Sequence, residues 1–177
     1  MKALFSLFWQ LCRFQKGPQD VPHSPPLLAL LVMALMSLSV LIVFWFEPKY
    51  VSEKLMGSAL ALAAWFLLLF LLLKFKGLGN RFAQTMIACL GTDLVISLIS
   101  VPMQMAVVSV EAETTLGSLS RFGLLTLIIW DILVKGRIYS GAMNLGRLQG
   151  NFLSICIWIS MLLISYQFIP EALQNSQ

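Results

Sequence analysis

Two aspartates lie where an aspartate is costly. Asp93 falls inside the apolar run from Met86 to Met103, and Asp131 falls near the end of a second run from Phe122 to Lys135. An ionisable group at the centre of a membrane helix costs about 2.5–3.5 kcal/mol on insertion scales, so each needs a partner, water or a proton. Asp131 and Lys135 are four apart and can pair on one helix face, as a salt bridge or a snorkelling anchor. Asp93 has no such neighbour, and Gly91 and Thr92 beside it suit close packing or a small hydrated pocket. Its functional reading is an ion or proton site. Its structural reading is a hydrogen-bonded residue that ties spans together through Ser97, Thr126 or Asn151. The candidate intramembrane polar site is therefore Asp93, Thr92, Asp131 and Lys135.

Other chemistry finds little to work with. The sequence has no G-x-S-x-G, H-E-x-x-H, Walker-type or G-x-G-x-x-G motif, so no enzymatic activity and no cofactor are expected. Cys12, Cys89 and Cys156 are far apart and form no C-x-x-C pair, and His23 lies alone between prolines, so no metal site is expected.

The elements that must position the aspartates follow from composition. The chain has 177 residues, 59% hydrophobic and 11% charged, against about 25% charged in soluble domains. The fold class is an all-α, polytopic transmembrane helical bundle. Five apolar runs, near 27–46, 55–73, 83–110, 116–134 and 152–169, are long enough to cross about 30 Å of hydrocarbon. Residues 27–170 form the transmembrane domain, residues 1–26 a helix and a proline-rich lead-in, and residues 171–177 a short polar tail. Ser24 is the expected N-cap of the first span, with Pro25 and Pro26 in its first turn. Pro102 should kink the third span.

The first residues look like a signal peptide only until Arg13 and Lys16, which follow directly with no small-residue cleavage site. Lys2, Ser6, Gln10 and Arg13 instead form a narrow polar stripe on an otherwise apolar helix. Such a helix lies in the plane of the headgroups or packs on the protein's own bundle. Small residues offer contacts elsewhere. Gly57-x-x-x-Ala61 and Ala59-x-x-x-Ala63 lie on the early turns of the second span. Ala142, Gly146, Gly150 and Ser154 recur every fourth position and would form one close-contact face if a helix begins near Ser140.

Lysines and arginines fall nine to three in alternate connections, with Lys2, Arg13, Lys16, Lys74, Lys76, Arg81, Lys135, Arg137 and Arg147 on one side and Lys49, Lys54 and Arg121 on the other. The positive-inside rule then places the N-terminus in the cytoplasm and the C-terminus outside. The expected setting is a bacterial inner membrane, as a multi-pass protein. The expected partners are the lipid bilayer and either a membrane-protein partner or a second copy. An ion or small-molecule substrate stays open, and the basic loops are no nucleic-acid footprint.

The run Leu11-Cys12-Arg13-Phe14-Gln15-Lys16-Gly17-Pro18-Gln19-Asp20-Val21-Pro22-His23-Ser24-Pro25, with five closely spaced spans after it, resembles the Yip1 family of small five-span membrane proteins. That resemblance implies a cytoplasmic N-terminus and a short tail outside. Eukaryotic members, which carry a longer cytoplasmic N-terminal region, are implicated in vesicle traffic with Rab GTPases; bacterial members have no settled activity. Two functions are expected from the residues. One is an accessory, assembly or scaffold subunit acting through helix contacts; the other is a small ion or proton pathway centred on Asp93.

Overall fold

A computed structural model describes residues 2–46, 49, 51–109 and 114–167. Among these the chain forms six α-helices and no strand: α1 (Lys2–Cys12), α2 (Pro25–Phe46), α3 (Val51–Phe75), α4 (Phe82–Ser109), α5 (Thr115–Met143) and α6 (Arg147–Tyr166). The last five are long and apolar enough to cross a membrane. The expected end of the third span at Val110, the acidic turn at Glu111 and Glu113, the stop at Pro170 and the polar tail lie outside the described residues.

Helix α4 stands in the middle, touching α1, α2, α3 and α5, while α6 packs on α5 and α3. Its residues from Thr85 to Thr92 are all buried, which explains its mixed composition. A helix surrounded by protein can carry Gly, Thr, Ser and Cys where a lipid-facing helix carries Leu and Phe. Helices α2 and α3 show the opposite pattern and expose Leu41, Phe44, Trp45, Leu67 and Leu71.

The helix ends are closed by local chemistry. Ser24 Oγ accepts from the Leu27 amide at 3.4 Å, the expected cap of α2. Three helices finish at the basic end of the bundle with a left-handed residue: Phe14 (φ 60°), Gly77 (φ 70°) and Asn144 (φ 51°). In each, the next amide reaches back five residues, Gln15 to Gln10, Leu78 to Leu73 and Leu145 to Ser140. Such a turn satisfies carbonyls that the helix leaves open. Glycine and asparagine suit that backbone; phenylalanine does not.

Two expectations need correcting. The fourth span does not stop near Val134: α5 runs on to Met143, so most of the expected connection from Lys135 to Gly150 is helical. Arg81 Nη1 donates to the Ala142 carbonyl at 3.3 Å and to Asn144 Oδ1 at 3.4 Å, and Lys76 Nζ donates to the Met143 carbonyl at 3.3 Å. These cations hold the negative end of the α5 dipole. The second correction concerns the small-residue face. Asn144 breaks the chain direction, so Ala142 ends up on α5, Gly146 becomes the N-cap of α6, and Gly150 and Ser154 lie on α6. They do not form one stripe.

The lead-in is no free loop. Pro18 is buried against Gly141, and Gln84 Nε2 donates to the Val21 carbonyl at 3.1 Å. Helix α1 packs on α4 and α5. It buries Leu7, Phe8, Leu11 and Cys12 while Phe5 and Trp9 stay exposed. Phe8 lies on Gly91, where any side chain would overlap its ring.

Candidate functional site

The three charged residues singled out from the sequence meet at one atom. Lys135 Nζ lies 2.8 Å from Asp93 Oδ1 and 2.8 Å from Asp131 Oδ2. Lys135 and Asp131 share one face of α5 because they are four apart, and α4 brings Asp93 to that face. The side chains are only 15–17% exposed.

Their depth follows from the helix lengths. Lys135 is eight residues before the end of α5, about 12 Å at 1.5 Å per residue. Asp93 is eleven residues beyond the start of α4, about 16 Å. Asp131 pairs with Lys135 as their spacing implies, and α5 continues for three more turns beyond Asp131. Asp93 does tie two helices together, but through Lys135 and not through Ser97, Thr126 or Asn151. Thr126 donates to its own helix at Phe122. Thr92 is buried and donates to the Cys89 carbonyl at 2.8 Å, so it supports α4 and makes no bond to the charged group.

Aromatic residues close the far side. Lys135 Nζ lies 5.0 Å from the centroid of the Trp65 ring on α3, within the range of a cation–π attraction. Trp65 Nε1 donates to the Tyr139 hydroxyl at 2.9 Å, one turn below Lys135 on α5. On the α1 side, Trp130 Nε1 donates to the Cys12 carbonyl at 2.9 Å, and Trp9 meets the Trp130 ring edge-on at 6.4 Å. Burial pushes the Cys12 thiol up to about 12, and the nearby carboxylates of Asp131 and Asp93 push the same way.

One side is open. A cavity of about 330 Å³ reaches the carboxylates and is lined by Asp93, Ser97, Ser100, Gln104, Asp131 and Trp158, among others. On α4 these polar positions fall at i, i+4, i+7 and i+11, one helical face. Gln104 Nε2 donates to Ser100 Oγ at 2.8 Å, and Ser100 Oγ donates to the Ser97 carbonyl at 2.8 Å. A second cavity of about 300 Å³ shares Gln104 and Leu124 with the first and reaches Lys54 in the first turn of α3. Asp131 Oδ1 is buried without a hydrogen-bond partner among the described residues. An orphaned carboxylate oxygen beside a cavity with a polar stripe along α4 and apolar walls at Leu124, Leu127 and Ile128 has room for a proton or a water.

Among the described residues no group of three or more His, Cys, Asp and Glu side chains is placed to hold a metal ion. The sequence marked Asp93, Asp131 and Lys135 by their cost. It also held the Asp93, Ser97, Ser100, Gln104 periodicity, which points to the cavity wall. Trp65, Tyr139 and Trp130 gave no signal, because tryptophan and tyrosine in apolar runs read as interface anchors.

Compared with known proteins, the chain matches no family model, no curated protein and no solved structure.

Proposed function

We propose that this protein is a small proton or ion pathway component of a membrane, with Asp93, Asp131 and Lys135 as its exchange centre. The observation that carries this reading is the charge count at one nitrogen: two carboxylates share one ammonium, leaving one net negative charge mostly buried in an apolar bundle. Such a charge is costly in a low dielectric. A proton arriving through the Gln104 cavity forms an O–H bond at one of the two carboxylates and brings the group to neutrality; its release restores the anion. A monovalent cation resting beside that carboxylate balances the charge equally well. In this reading the basic end faces the cytoplasm and the cavity faces the other side. Helix α1 lies along the headgroups and seals the basic end, and the architecture is of the Yip1 type.

The test is flux in proteoliposomes. Wild-type protein carries a proton or cation current driven by an imposed gradient, and Asp93→Asn abolishes it while leaving the amount of folded protein in the membrane unchanged. A current that ignores Asp93→Asn, or no current from wild type, ends this reading.

A second reading rests on a different surface. Helices α2 and α3 leave an apolar groove of about 560 Å³ lined by Val32, Ala59, Ala63, Phe66 and Phe70, with small residues where a further helix would approach. It supports an accessory or assembly subunit acting through helix contacts. Under that reading Asp93→Asn leaves copurification of a partner from mild detergent intact, and Ala59→Leu with Ala63→Leu removes it.

A further inference from the structure

We infer that the basic end carries a binding site for the phosphate of an anionic glycerophospholipid, between α5 and α6 and separate from the Asp93 centre. A pocket of about 280 Å³ is lined by Phe14, Leu133, Arg137, Arg147 and Asn151. Both arginines are exposed, and among the described residues neither makes an ion pair or a hydrogen bond. Neither does the Asn151 side chain. Five guanidinium N–H donors from each arginine, with an amide beside them, match the oxygens of a phosphate diester.

The occupant is a lipid because of what surrounds the charge. Leu133 lies one turn above Arg137 on α5, toward the bilayer centre, and is exposed. Leu148 and Phe152 are exposed next to Arg147 and Asn151, at 85% and 69%. Charge at the helix ends with apolar wall directly above it is the profile of a headgroup with its acyl chains. Arg137 is six residues from the end of α5, about 9 Å, and Arg147 opens α6, so the phosphate would sit at the depth of a headgroup. Phe14 completes the pocket from the end of α1, in its left-handed conformation. Basic pockets between helices at a membrane face recognise anionic headgroups by this combination.

The test uses the full chain in mild detergent, with native mass spectrometry after adding phosphatidylglycerol or phosphatidylcholine of identical acyl chains. Wild type retains phosphatidylglycerol preferentially, and R137Q with R147Q weakens that retention about thirtyfold. R121Q, at the opposite end of α5, leaves it unchanged. Should the double variant not fold, R147Q alone, at the exposed start of α6, is expected to give about a fivefold loss. Equal retention of both lipids by wild type, or unchanged retention in the variants, overturns the site. Inorganic phosphate is the third arm: if it displaces phosphatidylglycerol at matched concentration, a soluble anion is the occupant and the lipid assignment fails.

Discussion

The two ends of this bundle are built to different standards. At the basic end, α4 is buried from Thr85 to Thr92, Leu69, Leu73, Val134, Ile138 and Tyr139 are almost wholly enclosed, and the lead-in is pinned by Pro18 and Gln84. Toward the other end, α2 buries only Leu31 along its length, α3 buries only Gly57 in its first two turns, α4 carries Pro102, and two cavities meet at Gln104. The charged group lies on the boundary between them. It is held from below by packed aromatics and reached from above by a cavity with a polar stripe along α4. The contrast teaches that packing here serves to seal one side of a charge while leaving the other accessible.

The largest way to break that contrast is at Lys135. Lys135→Leu leaves Asp93 and Asp131 facing each other without a cation, and breaking a buried pair in this way costs about 3–5 kcal/mol. Thermal unfolding in detergent should show a marked drop, whereas Arg121→Leu, exposed on the outer part of the same helix, should leave the melting curve in place. Replacing Asp93, Asp131 and Lys135 together by leucine should recover most of the lost stability, because no unpaired charge remains. A triple variant as unstable as Lys135→Leu would show that the ions hold the fold in a way their pairing does not explain.

A matched pair of glycines sharpens the same contrast at a smaller scale. A Cβ at Gly150 would overlap the Gly136 carbonyl, which is backbone and cannot move aside; a Cβ at Gly123 would meet the Met103 sulfur at 2.9 Å, the tip of a flexible side chain. Gly150→Ala should therefore lower stability by about 1–3 kcal/mol. Gly123→Ala should be neutral or stabilising by up to about 1 kcal/mol, since alanine favours the helix. Equal losses for the two would remove the distinction between a tight and a loose half.

How much of this was legible in the sequence varies by element. The five apolar helices were, because lipid imposes a length and a composition that no soluble constraint imitates. The Asp131 and Lys135 pair was too, being a matter of spacing along one helix. The Asp93 and Lys135 contact was not: it joins residues on different helices, and its partner choice depends on helix register. The reach of α5 to Met143 was hidden for a similar reason. Its last turns are charged and polar, and they are helical because α4, α6 and the cations at Lys76 and Arg81 hold them. Gly150 and Ser154 were legible as small residues, but the break at Asn144 decided that they serve contacts within this chain.

The smallest expected effect tests the seal itself. Cys12 ends α1 directly beneath the charged group, with its carbonyl held by Trp130. Burial, reinforced by the carboxylates of Asp131 and Asp93, pushes its thiol up to about 12 from an ordinary 9.0. Only the thiolate reacts with maleimides at an appreciable rate. In a variant with Cys89 and Cys156 replaced by alanine, labelling of Cys12 at pH 8 should be about a thousandfold slower than for an ordinary thiol. The sign is fixed by the direction of the shift. The folded protein favours the protonated thiol, so this contribution to stability is full below pH 9 and is lost as the pH rises toward 12. Labelling should therefore keep climbing through the alkaline range instead of levelling off near pH 9. Lys135→Leu provides the counter-test: if α1 is held down by the packed end alone, the rate stays low, and if the ion cluster also holds it, the rate rises. Rapid labelling of the otherwise unaltered protein at pH 8 would mean that α1 does not cover the charged group, and the two ends of the bundle would then be equally open to water.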